Sequence, residues 1–511
     1  MKKRILVFGL IFALATGGIG CANIAGDNSG SISGTDSFTG KENAAWQESD
    51  KLIMAFRTNG GVPEESQIRK VEAAINEILR QKINAEVELM IIQSGSYRQQ
   101  MTLILSGNKQ LDLMGVVPEM TSSAVSGGQL LELADLLESH GQGILDELPE
   151  ELLRCGVFNG KQYFIPPQTD TAVGMGFYVM RKDIVDKYGI DVAGIQTYED
   201  LTAVFQLIHD QEPDLTVVAP RNTGMSFMEY NCSWDRLGDF FGVLENYGQD
   251  NLEVVNLFET DAYQEYLLTM REWYQRGFIS SDVTNAIESG PEQVKSGTLF
   301  AYAHANKPGV LTQEAIASGY EMVGCQVLEA INWTARPWQW AIPANTKHPE
   351  KAMELMNLLY TDPEIINLLI YGIEGEDYER REDGRIGYPD GVDSRTVGYS
   401  MANMLWSFGN TFKSYVWETN DPDIWDQTRE WNQNGLTSKA FGFAFDSTPV
   451  SVEMAAVQNV YDQYRMGLEC GLVEPMPALE EMNQKLYAAG LQEIIDEKQK
   501  QLNQWAAVQG D

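Results

Sequence analysis

The sequence predicts an α/β protein built from two lobes. Three features support this: a length of 511 residues, an amino-terminal part in which short apolar strands alternate with amphipathic helices, and stiff connectors where the chain can pass between lobes. A chain of this length exceeds the size at which a single hydrophobic core stops growing, so at least two lobes are expected.

The first 20 residues have the pattern of an export signal. Basic residues at positions 2–4 precede an apolar run of eleven residues, 5–15. A membrane-spanning helix needs about 20 apolar residues, so this run predicts a cleaved signal peptide over residues 1–20. Residues 18–21 (GIGC) resemble a bacterial lipobox, in which the cysteine, here Cys21, receives a diacylglycerol. Gly18 stands where that pattern usually has Leu, and an ordinary secretory signal with an incidental cysteine is the alternative.

Residues 21–47 are predicted to be a flexible, lipid-anchored tether. The stretch after Cys21 is rich in Gly, Ser, Thr, Asn and Asp and has almost nothing to bury. A flexible chain spans roughly 5–6 Å times the square root of its length, which is enough to lift a domain off a membrane. An export signal and a tether place the rest of the chain on the outer face of the cell membrane.

The alternation of strands and helices begins at residue 51. Strand–helix–strand repeats predict a parallel sheet, and such sheets bind ligands at the carboxyl ends of their strands. The loops at those ends contain the candidate ligand contacts Arg57, Asn59, Tyr97 and Glu119. The predicted strands and helices are 51–56, 64–81 (helix), 86–92, 97–105 (helix) and 111–117.

Three segments are predicted to cross between the lobes, which makes a hinge with a cleft that can close around a solute. The first joins a Gly-Lys turn, a short strand and two prolines, and it ends at Gln168, a further candidate ligand contact. The three crossings are 159–168, 294–302 and a segment near 359–363. The resulting domains are lobe 1 (48–166 and 299–360) and lobe 2 (167–298 and 361–511, including the C-terminal module).

The charge excludes one class of partner. Against 37 basic residues there are 73 acidic ones, for a net charge of −36. Such a surface repels nucleic acid and offers no footprint for a phosphate backbone. The sequence is also rich in aromatic residues, with 11 Trp and 21 Tyr.

No catalytic motif, metal-binding motif or cofactor motif is present. The chain lacks Gly-x-x-x-x-Gly-Lys-Ser/Thr, His-Glu-x-x-His and Gly-x-Ser-x-Gly, and its four histidines are isolated. We therefore predict no catalytic residue, no metal site and no cofactor. An exported glycoside hydrolase needs only two suitably spaced carboxylates and is the enzyme alternative. We expect the widely spaced Cys155, Cys232, Cys325 and Cys470 to be small buried residues, with two disulfides as the alternative.

Several short motifs late in the chain carry a resemblance to a known family. They are KHPEKAM (347–353), YGIEG (371–375), YPDGV (388–392), FGN (408–410), FGFAFD (441–446) and QKQLNQW (499–505). Together they resemble the family 1 extracellular solute-binding proteins, in particular a subgroup of Gram-positive lipoproteins with a characteristic C-terminal module. The resemblance covers about 52–505. It implies a periplasmic-binding-protein-like fold of the type II Venus flytrap class.

The resemblance also implies a function. It indicates a monomer that captures a solute, most commonly an oligosaccharide, and delivers it to the permease subunits of an ABC importer. The nucleotide-hydrolysing subunits must then be separate chains, because no phosphate-binding loop occurs in this one. Two alternatives stay open: a ligand that is not a sugar, and a signalling partner in place of a transporter.

Sugars present apolar ring faces and a rim of hydroxyls, so a site for them requires flat aromatic rings and planar polar groups. Aromatic-polar segments without apolar periodicity supply Tyr230, Trp234, Trp338 and Trp406 as candidate contacts. Glu374 is a further candidate, because the glycines around it let a ligand approach the backbone. The alternative is a structural position for the aromatic residues, in the core for Trp338 and in interlobe packing for Trp406, and a hinge or helix-cap role for Glu374. Truncation of Trp338 would weaken ligand binding if it lies in the cleft and would lower stability if it lies in the core.

Overall fold

Separate clusters of buried hydrophobic side chains define two lobes, with one cluster in lobe 1 and a large and a small one in lobe 2. In the computed structural model, residues 49–107, 109–332 and 338–509 are described. The core of lobe 1 draws on residues 52–165 and 338–408, and that of lobe 2 on residues 175–331 and 440–502. The predicted signal peptide, Cys21 and the tether lie outside the described residues.

The elements follow in chain order. The first stretch contains β1 (Asp50–Thr58), α1 (Glu65–Ile83), β2 (Ala85–Gln93), α2 (Ser94–Ser106), β3 (Leu113–Val116), α3 (Pro118–Ser126), α4 (Ala134–His140), α5 (Gln142–Glu147), α6 (Glu150–Arg154), β4 (Val157–Phe158) and β5 (Lys161–Gln162). The second contains β6 (Ala172–Arg181), α7 (Lys182–Tyr188), α8 (Tyr198–Gln211), β7 (Thr216–Pro220), β8 (Trp234–Asp235), β9 (Leu244–Glu245), α9 (Asp261–Gln275), α10 (Gly290–Lys295), β10 (Leu299–Asn306), α11 (Val310–Ser318), β11 (Met322–Gln326) and β12 (Ala330–Asn332). The third contains β13 (Gln339–Ala341), α12 (Pro349–Thr361), α13 (Pro363–Tyr371), β14 (Glu379–Arg380) and β15 (Ile386–Gly387). The last contains α14 (Ile424–Asn434), β16 (Leu436–Thr437), α15 (Ser451–Glu469), α16 (Pro475–Ala488) and α17 (Leu491–Gln509).

Helix α1 shows how the sequence specifies these elements. Val71, Ile75 and Leu79 recur every four residues and are all buried, so one face of the helix packs on the sheet. The helix ends at Asn84, whose left-handed backbone (φ 52°) closes the last turn. The predicted alternation of strands and helices over residues 51–117 is confirmed.

The sheet of lobe 1 has the order β13-β3-β1-β2. Strand β1 runs parallel to β2, from Asp50 opposite Ala85 to Thr58 opposite Gln93, and parallel to β3. Strand β13 joins antiparallel to β3. The carboxyl ends of β1, β2 and β3 therefore meet at one edge of this sheet, as predicted.

The sheet of lobe 2 has the order β16-β12-β6-β10-β7, and β11 also pairs with β6. Strand β6 begins directly after the first crossing, with Ala172 opposite Asn332 and Gly174 opposite Asn306. Since β10 is antiparallel to β6 and β7 is parallel to β10, the carboxyl ends of β7 and β10 lie at the hinge end of this sheet.

Two of the three segments predicted to cross between the lobes each lie within a single lobe in the structure. The apolar run at 294–302 is not a crossing, because β10 is a strand in the interior of the lobe-2 sheet. The segment near 359–363 lies within lobe 1, where the Tyr360 hydroxyl donates to the carbonyl of Pro166 at 3.0 Å and Asp362 pairs with Lys82 of α1. Residues 299–332 therefore belong to lobe 2 and residues 361–417 to lobe 1.

Along the described residues the chain still changes lobe three times. It leaves lobe 1 between Pro166 and Ala172, returns between Asn332 and Trp338, and leaves again between Trp417 and Leu436. Helix α14 lies on the last passage and is tied to the first, since the Asn432 side-chain amide donates to the carbonyl of Thr169 at 2.8 Å.

The C-terminal helices α15, α16 and α17 pack on one another and on lobe 2. The buried carboxyl group of Glu469, at the end of α15, anchors this helix to lobe 2. It accepts hydrogen bonds from the hydroxyls of Ser226 (2.5 Å), Tyr461 (2.8 Å) and Tyr263 (3.3 Å). Burial raises the pKa of Glu469 to about 7. No helix within the described ranges is long and apolar enough to span a membrane.

Candidate ligand-binding cleft

The carboxyl-terminal edge of the lobe-1 sheet faces lobe 2. Glu119 follows β3 and Gln339 begins β13, and both line a cavity whose other wall includes Leu237 and Phe443 of lobe 2. The cleft therefore lies at the strand ends, where parallel sheets bind ligands.

Arg57, near the carboxyl end of β1, holds its guanidinium between two indole rings. Its Cζ atom lies 5.4 Å from the ring centroid of Trp338 and 5.8 Å from that of Trp406. Each such cation–π contact stabilises the arrangement by about 0.5–2 kcal/mol. Burial lowers the pKa of Arg57, and the Coulombic attraction of Glu119 opposes this shift. Three predicted ligand contacts from three other segments (Glu119, Trp338 and Trp406) thus come together around Arg57.

Two aromatic candidates lie beneath the cleft surface instead of on it. Trp338 and Tyr97 are each 1% exposed, and their ring centroids are 5.6 Å apart in the core of lobe 1. Trp338 covers Gly115 so closely that a Cβ atom there would be 1.6 Å from the indole. The Tyr97 hydroxyl donates to the carbonyl of Gly115 at 2.7 Å. These rings support Arg57 from the core side, which differs from the cleft position expected for them.

Between the lobes, below Trp406, lies a first cavity of about 330 Å³. Its walls are rich in aromatic rings and planar polar side chains. Residues of lobe 1, of the hinge and of lobe 2 all line it. Asp170 of the first crossing pairs with Lys307 of lobe 2 at 2.7 Å in its wall. The lining side chains include Trp406, Tyr371, Tyr415, Trp417, Asn403, Asn420, Trp425, Thr169 and Gln313.

Most of these lining residues were missed by the sequence reasoning. Tyr415, Trp417 and Trp425 lie in a stretch that is both aromatic and polar and lacks apolar periodicity. The same property singled out residues 228–235, so it could have identified this stretch too. Asn403 packs against Gly60, where a Cβ atom would be 2.6 Å from its side-chain nitrogen. This contact joins the turn after β1 to the wall of the first cavity.

On the lobe-2 side, Tyr230 lies near the hinge end of the sheet and is half-buried. Its ring stacks on His304 of β10, with the centroids 5.7 Å apart and the planes 24° from parallel. His304 in turn lies 3.1 Å from the Glu314 carboxylate, which also binds Arg221 at 2.8 Å. Although burial opposes ionisation of Glu314, these hydrogen bonds and charges lower its pKa to about 2. Tyr230 is thus held by a charged network on the sheet behind it.

The other predicted contacts are scattered. Trp234 is 2% exposed and packs in the lobe-2 core, which differs from the predicted cleft position. Glu374 is exposed on lobe 1 and accepts a hydrogen bond from Arg380 at 3.0 Å. Asn59 is exposed and accepts from the Ser94 hydroxyl at 2.6 Å. Gln168 lies in the hinge, where its backbone N–H donates to Gly409 at 2.8 Å, and its buried Oε1 has no partner among the described residues.

Within the described ranges, no three His, Cys, Asp or Glu side chains are grouped so that they could hold a metal ion. The thiols of Cys155, Cys232, Cys325 and Cys470 are all buried, and no disulfide joins any of these four. The burial agrees with the interpretation of these cysteines as small core residues.

Two models of known protein families match this chain. The family model described as "Bacterial extracellular solute-binding protein" matches residues 66–365, more than half of the chain. The chain belongs to this family. A second model, a domain of unknown function (DUF3502), matches residues 439–507, which we call the C-terminal module. The predicted family and its C-terminal module are confirmed.

Individual relatives agree with this assignment. The chain is 26% identical over 517 residues to a carbohydrate ABC transporter substrate-binding protein of Streptococcus pneumoniae serotype 4, covering 99% of this chain and 98% of that protein. The crystal structure of the N-glycan transport solute binding protein (NgtS) from Streptococcus pneumoniae superposes with a TM-score of 0.76 at 24% identity, covering 89% of this chain and 98% of that one. Its complexes with Man1GlcNAc and Man5GlcNAc superpose with TM-scores of 0.69 and 0.65, also at 24% identity and covering 89% of this chain and 99% and 98% of theirs. The two-lobed solute-binding fold is therefore shown.

Proposed function

We propose that this solute-binding protein captures an oligosaccharide between its lobes and delivers it to an ABC importer, acting as a monomer. The observation that carries the proposal is the composition of the first cavity. Trp406, Trp417 and Trp425 offer flat apolar surfaces, and Asn403 and Asn420 offer both donors and acceptors. Sugars require this combination of ring faces and planar hydrogen-bonding groups. The names of the streptococcal relatives, which refer to carbohydrate and N-glycan, support the same ligand class.

Capture follows from the two-sided wall of the cavity. Lobe 1 contributes Trp406, lobe 2 contributes Lys307 and Gln313, and the hinge contributes Thr169 and Asp170. A ligand that touches both lobes stabilises the closed state over the open one, and only this difference shifts the population. An importer can then recognise the closed form, one lobe for each half of its membrane domain.

We propose binding without cleavage. Of the described residues that line the first cavity, Asp170 alone carries a carboxylate, and Lys307 engages it at 2.7 Å. In the lining of the other interlobe cavity, Asp239 is likewise engaged by Lys498 at 2.8 Å, which leaves Glu119 without a second free carboxylate there. Glycoside hydrolysis requires two carboxyl groups that flank the scissile bond. We expect a glycan recovered after long incubation with the protein to be unchanged in length.

The amino-terminal residues support a location on the outer face of the cell membrane. We propose that residues 1–20 are a signal peptide and that Cys21 carries the lipid, so that residues 21–47 tether the two lobes. Membership of an extracellular solute-binding family supports export, and the GIGC motif supports the anchor.

A thermal-shift screen against glycans, with Man1GlcNAc and Man5GlcNAc among them, tests the proposal. A ligand at 100 times its dissociation constant adds about 2.7 kcal/mol to stability, which gives a measurable rise in melting temperature. We expect Trp406→Ala to weaken binding by about 1–3 kcal/mol, as removal of a central aromatic contact does. Tyr487→Ala, at an exposed ring that lines neither interlobe cavity, is the matched control. Binding that survives Trp406→Ala unchanged would remove the first cavity from the site.

A further inference from the structure

A second cavity of about 250 Å³ lies between the lobes, and the C-terminal module builds one of its walls. The lobe-1 wall contains Glu119, Thr121 and Ser122 at the start of α3, together with Gln339. The opposite wall contains Phe443 and Phe445 of the segment that leads into α15. The family model for solute-binding proteins ends at residue 365, so this wall belongs to the part of the chain whose role is undefined.

The segment 441–446 contacts both lobes. Phe441 and Ala444 pack against the core of lobe 1, whereas Phe443 and Phe445 pack against that of lobe 2. Between them, Gly442 has φ +95°, and a Cβ atom there would be 3.6 Å from Arg154 of lobe 1. Because its side chains pack against both lobes, this segment places its aromatic rings at the boundary of the lobes.

Helix α17 holds this wall in place. Phe443 packs edge-to-face on Trp505, with the ring centroids 6.1 Å apart, and the Lys498 ammonium lies 5.1 Å from the ring centroid of Phe445. The Gln501 side chain accepts from the backbone N–H of Asp446 at 2.8 Å and donates to its carbonyl at 2.9 Å. A wall fixed in this way is preorganised, which reduces the entropy lost when a ligand binds.

Arg57 links a residue in the wall of the first cavity to a residue in the wall of the second. Trp406 lines the first cavity and Glu119 the second, and the Arg57 guanidinium interacts with both. The same guanidinium contacts Trp338, whose neighbour Gln339 also lines the second cavity. One side chain thus links the walls of the two cavities, which we call the first and second compartments between the lobes.

The second compartment also has the chemistry of a sugar site. Thr121 and Glu119 line it on the lobe-1 side and Phe443 and Phe445 on the other side, and the Ser122 hydroxyl donates to the carbonyl of Phe445 at 3.5 Å between the two walls. The side-chain Oε1 of Gln339 is buried and has no partner among the described residues, so it is available to accept a hydrogen bond from a ligand hydroxyl. Polar groups on one side and aromatic faces on the other suit a pyranose ring.

We propose that the second compartment is a subsite for the extension of an oligosaccharide whose first units occupy the first cavity, and that the C-terminal module thereby selects ligand length. This inference rests on the proposed function. It gives the C-terminal module a direct part in ligand recognition, in addition to packing on lobe 2.

Calorimetric titration with Man1GlcNAc and Man5GlcNAc tests the subsite. We expect the wild-type protein to bind the longer glycan at least about tenfold more tightly, a factor that corresponds to 1.4 kcal/mol. Thr121→Trp fills the compartment from lobe 1 and should reduce that preference below about threefold, while the affinity for Man1GlcNAc stays within about twofold. Ser123→Trp, on an exposed neighbouring position of the same helix, is the matched control and should change neither affinity.

Phe445→Ala removes part of the opposite wall and should weaken Man5GlcNAc selectively in the same way. Thr121→Trp keeps the test decisive if Phe445→Ala does not fold. Unchanged affinity for Man5GlcNAc in the folded variants, or an equal loss for both glycans, would overturn the subsite and leave the proposed function standing. A wild-type protein that binds no oligosaccharide would overturn the proposed function and the subsite together.

Discussion

Trp338 and Trp406 flank the same guanidinium, but the structure predicts opposite consequences for their truncation. Trp338 is 1% exposed and covers Gly115, whereas Trp406 is half-buried and lines the first cavity. We therefore expect Trp338→Ala to act mainly on the stability of lobe 1 and Trp406→Ala mainly on ligand affinity.

The size of the Trp338 effect follows from its contacts. The indole touches Tyr97 at 5.6 Å and Trp340 at 5.7 Å between ring centroids, and it closes the space above Gly115. Truncation of a buried Trp to Ala costs about 3–5 kcal/mol, because it removes buried apolar area and leaves a cavity. For a domain of 150–250 residues, each kcal/mol lowers the melting temperature by about 2–4 °C. We expect the lobe-1 transition to fall by roughly 6–20 °C.

Differential scanning calorimetry and calorimetric titration of the same sample separate the two roles. The titration is performed at a temperature where the variant is folded. A melting temperature within about 2 °C of wild type, together with a loss of glycan affinity of 1–3 kcal/mol, would place Trp338 in the ligand site and refute the assignment to the core. Trp338→Phe, which keeps an aromatic ring, should recover part of the lost stability.

Three further predictions address other parts of the molecule. Cys21→Ser should abolish incorporation of labelled fatty acid and release the protein into the medium, and equal labelling of both proteins would contradict the anchor. Glu469→Gln should flatten the dependence of stability on pH. The folded-state pKa of Glu469, about 7, exceeds its unfolded-state pKa, so the protonated carboxyl group stabilises the fold below about pH 4.5. This contribution, roughly 3 kcal/mol, is lost by about pH 7. Denaturant unfolding at pH 5 and pH 8 measures this, and an unchanged difference between the two pH values in the variant would contradict it. Glu314→Gln should destabilise lobe 2 by about 2–3 kcal/mol at pH 7, because Arg221, 27% exposed, loses its buried partner. Since the pKa of Glu314 is depressed to about 2, the wild-type advantage should shrink as the pH falls from about 4.5 toward 2, and an advantage that persists at pH 2 would contradict this account.

The strand–helix alternation of lobe 1 was predictable because its information is local. Buried positions in α1 recur at helical spacing, and the short strands are bounded by turn residues. The crossings depend instead on which strands pair. The apolar run at 299–302 looks the same in sequence whether it ends one lobe or lies inside the sheet of the other, and only its pairing with β6 and β7 decides this.

The candidate site was predictable in part for the same reason. Arg57 and Glu119 follow parallel strands, and the rule that ligands bind at strand ends locates them without knowledge of the packing. Burial of the aromatic candidates is a property of their surroundings, which the local sequence does not contain. The glycine against which the Trp338 indole packs in the core is Gly115, more than 200 residues away. The aromatic wall at 415–425 was missed because it is recruited by the last crossing, which the sequence did not locate.

Hydrogen–deuterium exchange with and without Man5GlcNAc tests most directly whether the ligand is held between the lobes. If the ligand is held between the lobes, amide hydrogens should exchange more slowly in its presence on both sides of the cleft. We expect this at the hinge around Thr169, at 402–417 of lobe 1 and at 305–313 of lobe 2. A separate cavity of about 580 Å³ lies within lobe 2 beside β7, lined by residues of 216–223 and 280–298. Protection confined to that cavity or to a single lobe, or no protection anywhere, would contradict capture in the interlobe cleft.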